Sequence, residues 1–225
     1  MTGLMFLHGW GLGADTWSAW VPSLSDAPGI GPVLTLDAGY FGPERLAESL
    51  STTAALAEVE GWIGIGHSLG FATLAGMNIP WRGLVGLGAF LHFCPTKSLS
   101  IGTPASVLNA MLNRLDEAPV DVLTRFTKRC GVATPTVAPP TALGLGRLRR
   151  DLALLRDLDR AAPACPVLYL HARNDRIAPL ALAEEAHART SGSQLAVLDT
   201  GGHALPLTQE QATLARVRTF LHELQ

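Results

Sequence analysis

Cysteine is scarce and carries no pattern. Cys94, Cys130 and Cys165 are odd in number and widely spaced in 225 residues, so neither a disulfide framework nor a CxxC redox or zinc pair is expected. Charge is sparse as well, at 16% Asp, Glu, Lys and Arg, and nearly balanced at a formal −2. A dedicated nucleic-acid binder would show a clear basic excess. No Lys or Arg precedes Arg45, so no basic n-region of a secretory leader is expected. The longest stretch free of charge, 61–81, holds five glycines with His67, Ser68, Asn78 and Pro80, a poor composition for a membrane span. There is no HExxH, no clustered His/Cys/Asp/Glu set and no complete dinucleotide or phosphate fingerprint after the first apolar run. No metal and no cofactor is therefore expected. What remains is a cytoplasmic, monomeric enzyme with no nucleic-acid or membrane partner.

Apolar residues are plentiful, at 48%, and they are organised. Short apolar runs at 4–7, 33–36, 62–66, 84–88, 167–171 and 194–198 have the length and character of buried parallel strands. Between them lie helical patterns at 15–24, 43–57, 69–78, 180–191 and 209–224. Strands alternating with helices predict an α/β fold with a mostly parallel central sheet flanked by helices. The alternation breaks once, between the fourth and fifth strands. There, helices are expected at 104–115, 120–130 and 142–158, the first with Thr103 as N-cap and Pro104 at N1. The expected division is a core of 1–92 and 160–225 with a helical cap at 93–159, inserted before the last two strands. A cap there would lie over the carboxyl edge of the sheet, where open α/β sheets bind ligands. From Cys94 to Arg150 there are eight basic and three acidic residues, a +5 island in a −2 chain.

The chemistry-bearing motif is Gly66-His67-Ser68-Leu69-Gly70, a G-x-S-x-G between an expected strand and an expected helix. That setting puts a serine on a sharp turn, with glycines allowing strand and helix to approach and the Leu69 N–H at a helix start facing a developing oxyanion. The base expected for Ser68 is His203, in Gly201-Gly202-His203 after the last strand, with His171 as competitor. His187 and His222 fall on helices and read as solvated, and His67 is expected to point away from the site. Asp175, just beyond the fifth strand, is expected to orient His203, with Asp199 as the alternative; Asp157 and Asp159 read as ion-paired helix-end residues. A second oxyanion donor is expected from the Trp10 backbone N–H, in His8-Gly9-Trp10-Gly11, with His8 bracing that loop.

Together, Phe6-Leu-His-Gly-Trp-Gly11, Gly66-His-Ser-Leu-Gly70, His171-Ala-Arg-Asn-Asp175 and Gly201-Gly-His203 resemble the signature segments of the α/β-hydrolase superfamily. Within it, the His-Gly-Trp-Gly start and the helical cap resemble the pimeloyl-acyl-carrier-protein methyl ester esterases of biotin synthesis. The resemblance implies an α/β-hydrolase fold, Ser68 as nucleophile, His203 as base, Asp175 as its partner, and Trp10 and Leu69 as oxyanion-hole donors. It also implies an acyl ester borne on acyl carrier protein, bound against basic cap residues: Arg125, Lys128, Arg129, Arg147, Arg149 and Arg150. Three departures stand out. The two leading strands usual in the superfamily are not expected here, His67 stands where the biotin enzymes commonly have Trp, and Phe71 follows the motif where Gly is frequent. Other functions that fit the same residues are a broad carboxylesterase, a thioesterase, a lyase of the menaquinone-synthesis type and a non-catalytic binding module.

Overall fold

A computed structural model describes residues 1–45, 59–96, 99–132 and 142–224. Six strands form one sheet: β1 (Thr2–Leu7), β2 (Ile30–Leu36), β3 (Gly61–His67), β4 (Trp81–Leu87), β5 (Val167–Ala172) and β6 (Gln194–Leu198). Their order is β2-β1-β3-β4-β5-β6, and every neighbouring pair is parallel. The chain starts inside the sheet, runs to one edge at β2, and returns past β1 to β3. This reversal of direction opens a crevice at the carboxyl ends of β1 and β3.

The inner strands β1, β3, β4 and β5 read as apolar runs because both of their faces are covered, while the edge strands β2 and β6 are only partly buried. Side chains alternate across the pleat. Leu4, Phe6, Ile63, Ile65, Val85 and Leu87 enter one layer, packed against α1 (Trp20–Ser25) and against α8 (Glu210–Glu223) through Leu214, Val217 and Phe220. Met5, Leu7, Trp62 and Leu84 enter the other, with Phe71 and Leu74 of α2 (Leu69–Ala75) and Ala186 of α6 (Leu180–Arg189). A third apolar cluster sits above the carboxyl edge. It is built from α3 (Ala105–Glu117), α4 (Pro119–Arg129) and α5 (Leu145–Asp157), which join Trp10, Tyr40, Leu69 and Phe90. Where the chain leaves for these helices and returns from them, His92 bridges Asp159 antiparallel and Arg160 N–H donates to the Leu91 carbonyl at 2.8 Å.

Several expectations need correction. The helix expected at 15–24 is split into a 3-10 turn, Ala14–Trp17, and α1. Pro22 cannot donate to the carbonyl four residues back and its ring crowds the preceding turn, so the helix restarts with Pro22 inside its first turn. Thr103 is not the N-cap of α3. Pro104 takes that place, extended at ψ 138°, and the Thr103 hydroxyl donates instead to the Ile177 carbonyl at 3.2 Å. A four-residue helix, α7 (Leu205–Thr208), precedes α8. The expected helix at 43–57 lies outside the described residues beyond Arg45, and Lys97 of the basic island lies outside them too. Among the described residues no helix is long and apolar enough to cross a membrane.

Candidate active site

Ser68 follows β3 at the crevice and holds φ 54°, ψ −124°. Among the described residues it alone has positive φ without being glycine. Such backbone costs about 1–3 kcal/mol and persists only where the surroundings impose it. They do so here by close approach. A methyl on Gly66 would fall on the backbone of Phe71, and one on Gly70 on the carbonyl oxygen of Leu7. The G-x-S-x-G glycines thus let β3, α2 and the end of β1 share a space with no room for Cβ atoms.

Three loops converge on Ser68. The Ser68 hydroxyl donates to His203 Nε2 at 2.9 Å, and His203 Nδ1–H donates to Asp175 Oδ2 at 2.7 Å. An ionised carboxylate only accepts. Asp175 therefore fixes the imidazole proton on Nδ1 and leaves Nε2 free to take the serine proton. The other Asp175 oxygen accepts from the N–H groups of Ile177 and Ala178 at 2.8 and 3.0 Å. Burial pulls the Asp175 carboxyl up, but the facing His203, its hydrogen bond, His171 and the Ile177 N–H outweigh it, and the net direction is down. All three side chains are buried, with Ser68 6% exposed.

The N–H groups expected to form an oxyanion hole are free of other duties. Leu69 is the first residue of α2, and neither its N–H nor that of Trp10 donates to another group among the described residues. The loop bearing Trp10 lies against the serine: a methyl on Gly9 would come within 3.0 Å of the Ser68 Cβ. Trp10 itself is anchored. Its indole N–H donates to the Leu148 carbonyl of α5 at 2.7 Å, and its ring stacks edge-on against Phe126 of α4.

The remaining histidines are buried supports or surface residues. His171 is no competitor for the serine, because its Nε2–H donates to the Ala178 carbonyl at 2.9 Å and lies 3.4 Å from Asp175. His8 braces its loop, with Nδ1 donating to the Gly9 carbonyl and Nε2 accepting the Ala38 N–H. His67 departs from expectation. It points into the His203 loop, where its Nε2–H donates to the His203 carbonyl at 2.9 Å and its ring lies 4.9 Å from that of His203. Burial, and next the neighbouring His203, lower its pKa to about 3. Its partner stands 136 residues away, which no local pattern reports. Asp199 is exposed and faces Arg173 at 3.8 Å.

Ser68 opens on a cavity of about 910 Å³. Trp10, Phe93, Met111, Phe126 and Leu155 make apolar walls, and Arg114, Arg125, Arg129 and Arg176 stand among its lining residues. Arg176 was not singled out by sequence reasoning, although its place beside Asp175 on the loop after β5 was the available signal. The six basic residues expected at a docking surface divide. Arg125, Lys128 and Arg129 are exposed on α4, with Arg125 ion-paired to Asp121 at 2.8 Å and the Arg129 guanidinium donating to the Arg176 carbonyl at 3.2 Å. Arg149 is ion-paired with Asp116 and Arg150 with Asp151. Arg147 is half-buried: its guanidinium donates to the carbonyls of Gly39 and Gly42 at 2.6 and 2.9 Å and ties α5 to the loop after β2. Among the described residues no cluster of three or more His, Cys, Asp or Glu is placed to hold a metal.

With a parallel sheet in this order and a serine, an imidazole and a carboxylate meeting over its carboxyl edge, the class of protein is defined. The chain belongs to the alpha/beta hydrolase family, whose sequence pattern matches residues 4–217. Among named relatives, the biotin biosynthesis bifunctional protein BioHC of Cellvibrio japonicus is 27% identical over 243 residues. That match takes in 98% of this chain and 48% of the relative, so the chain spans about half of that protein's length. The pimeloyl-acyl-carrier-protein methyl ester esterase of Vibrio parahaemolyticus is 26% identical over 255 residues, which cover 98% of this chain and 94% of that enzyme. The solved structure of an esterase from Exiguobacterium antarcticum superposes with a TM-score of 0.83 at 16% identity, over 99% of this chain and 92% of the other. At that identity the likeness is one of fold.

Proposed function

We propose that this carboxylic ester hydrolase cleaves the methyl ester of a pimeloyl chain carried on acyl carrier protein, with Ser68 as nucleophile. The observation that carries the proposal is the line Ser68 Oγ, His203 Nε2, His203 Nδ1, Asp175 Oδ2, with steps of 2.9 and 2.7 Å, at a large apolar cavity with arginines in its lining. His203 takes the serine proton as Ser68 Oγ attacks the ester carbonyl. The oxyanion is received by the N–H groups of Trp10 and Leu69. Collapse expels the alcohol, which takes the proton from His203. Water then adds to the acyl-enzyme by the same route, and the acid leaves.

Residues 93–159 act as the lid, supplying the apolar walls from α3, α4 and α5. The acyl chain lies along Phe93, Met111 and Phe126. The acidic carrier docks on the exposed face of α4 at Arg125, Lys128 and Arg129. A protein meeting a carrier-borne intermediate works in the cytoplasm. The relatives' names and the charge of α4 support this substrate, and the triad geometry supports the chemistry.

The test compares the carrier-borne methyl ester with the same ester free. Ser68→Ala is expected to lose turnover on both by at least about 10³-fold. The reversals Lys128→Glu and Lys128→Asp, at the docking residue that does not line the cavity, are expected to raise KM for the carrier-borne ester alone, an effect that added salt mimics. Wild-type turnover in Ser68→Ala would refute the mechanism. Equal effects of the reversals on both substrates would refute carrier docking and mark a broad carboxylesterase.

A further inference from the structure

The loop that carries His203 is held by the inserted helices as well as by the core. The carbonyl of Cys130, the residue capping α4, accepts the N–H of His203 at 2.9 Å and the N–H of Ala204 at 3.0 Å. A helix leaves its last carbonyls without partners of its own, and here one of them takes two donors from the residue bearing the imidazole and from its neighbour.

The contact is backbone on backbone. Gly131 stands at φ +101° and Gly202 at φ +66°, conformations strained for any side chain with a Cβ. A methyl on Gly202 would reach 2.8 Å from the Cys130 oxygen, and one on Gly131 would reach 3.1 Å from the Gly201 oxygen. The rest of the loop is tied to core elements. Gly202 N–H donates to Asn174 Oδ1 at 2.9 Å, the Thr208 hydroxyl to the Gly201 carbonyl at 2.7 Å, and the His67 ring to the His203 carbonyl.

We infer that the C-terminal end of α4 is part of the mounting of His203 and that Gly131 is a positioning residue for it. The inserted helices then do more than wall the cavity: they set where the imidazole stands relative to Ser68 Oγ. A base must lie within about 2.6–3.2 Å of the proton donor it serves, and a 1 Å misplacement costs up to about 10²-fold in rate. This role presupposes that His203 is the base proposed above.

The experiment is Gly131→Ala in the full chain, assayed on a small p-nitrophenyl ester that needs no carrier. Its control is Gly192→Ala, which also puts an alanine at positive φ, +69°, but with nothing within 4 Å of the new methyl. Gly131→Ala is expected to lower kcat about 10–100-fold with KM held within about twofold. Labelling of Ser68 by a fluorophosphonate should slow in proportion. Gly192→Ala should change neither. Wild-type kcat and labelling in a folded Gly131→Ala protein, or an equal loss in Gly192→Ala, would overturn the inference. Hydrogen exchange of the unaltered protein tests it without a variant. The amides of His203 and Ala204 should exchange together with those of α4, and full protection of these two while α4 exchanges freely would overturn it. His203→Gln, measured alongside, separates the two claims, since full activity there would dispose of the base assignment itself.

Discussion

Acid should unfold this protein partly through one imidazole, His67. In the unfolded chain His67 titrates near 6.5, and in the folded protein burial and the adjacent His203 lower it to about 3. Its Nε2–H is given to the His203 carbonyl, so a second proton must go on Nδ1. That atom is buried without a partner, facing Gly9 so closely that a methyl there would lie 2.5 Å away. Between pH 6.5 and pH 3 the unfolded state binds this proton and the folded state does not, so stability falls as pH falls through that window. At pH 7 the contribution is close to zero. At pH 4.5 it reaches roughly 2.7 kcal/mol in favour of unfolding, at about 1.4 kcal/mol per unit.

His67→Leu removes the titration. At pH 7 it leaves the His203 carbonyl unsatisfied and should cost about 1–3 kcal/mol. Titrating groups remote from His67 are common to both proteins and cancel in the difference. The variant should therefore be the less stable protein at pH 7, and the gap should close near pH 4.5. Urea unfolding at half-unit steps of pH, followed by tryptophan fluorescence, measures this directly. Stability curves that stay parallel from pH 7 to pH 4.5 would refute the account of His67.

Two further outcomes test the framework around the site. Tyr40→Phe removes a buried hydroxyl that donates to Asp151 Oδ2 at 2.8 Å and links α5 to the loop after β2. It should cost about 1.5–3 kcal/mol in urea unfolding, and an unchanged midpoint would show that the link carries no load. Gly70→Ala places a methyl on the Leu7 carbonyl oxygen. It should lower stability by about 1–3 kcal/mol or more and abolish ester turnover, and a variant with native stability and activity would refute the close packing of α2 on β1.

The amino-acid order settled the parts of this protein that rest on local physics. Six apolar runs became six parallel strands: the four inner ones, β1, β3, β4 and β5, because a strand covered on both faces must be apolar throughout, and the half-buried edge strands β2 and β6 because their apolar residues still pack on the helices beside them. Gly66 and Gly70 marked the turn at Ser68 because no other residue fits between β3, α2 and β1. The places of Asp175 and His203, each just beyond a strand, were legible because parallel strands deliver the loops after them to one edge. Local rules misled where a single residue outweighed the pattern, as Pro22 did in the helix expected at 15–24. Lys97 and the helix expected at 43–57 fall, wholly or largely, outside the described residues.

Tertiary structure alone decided which partner each polar group found. His67 and His203 are far apart in the chain, and only the folding of both onto one edge made the first a support for the second. Arg147 and Arg125 are the same residue on similar helices, yet one is tied to the distant carbonyls of Gly39 and Gly42 and the other, exposed at the cavity, pairs only with Asp121 one turn back on its own helix. The Cys130 carbonyl has no side-chain identity to betray its role. Sequence states which groups can donate, accept or titrate; the distances that make them act are set by packing between segments remote in the chain, and packing belongs to the whole molecule.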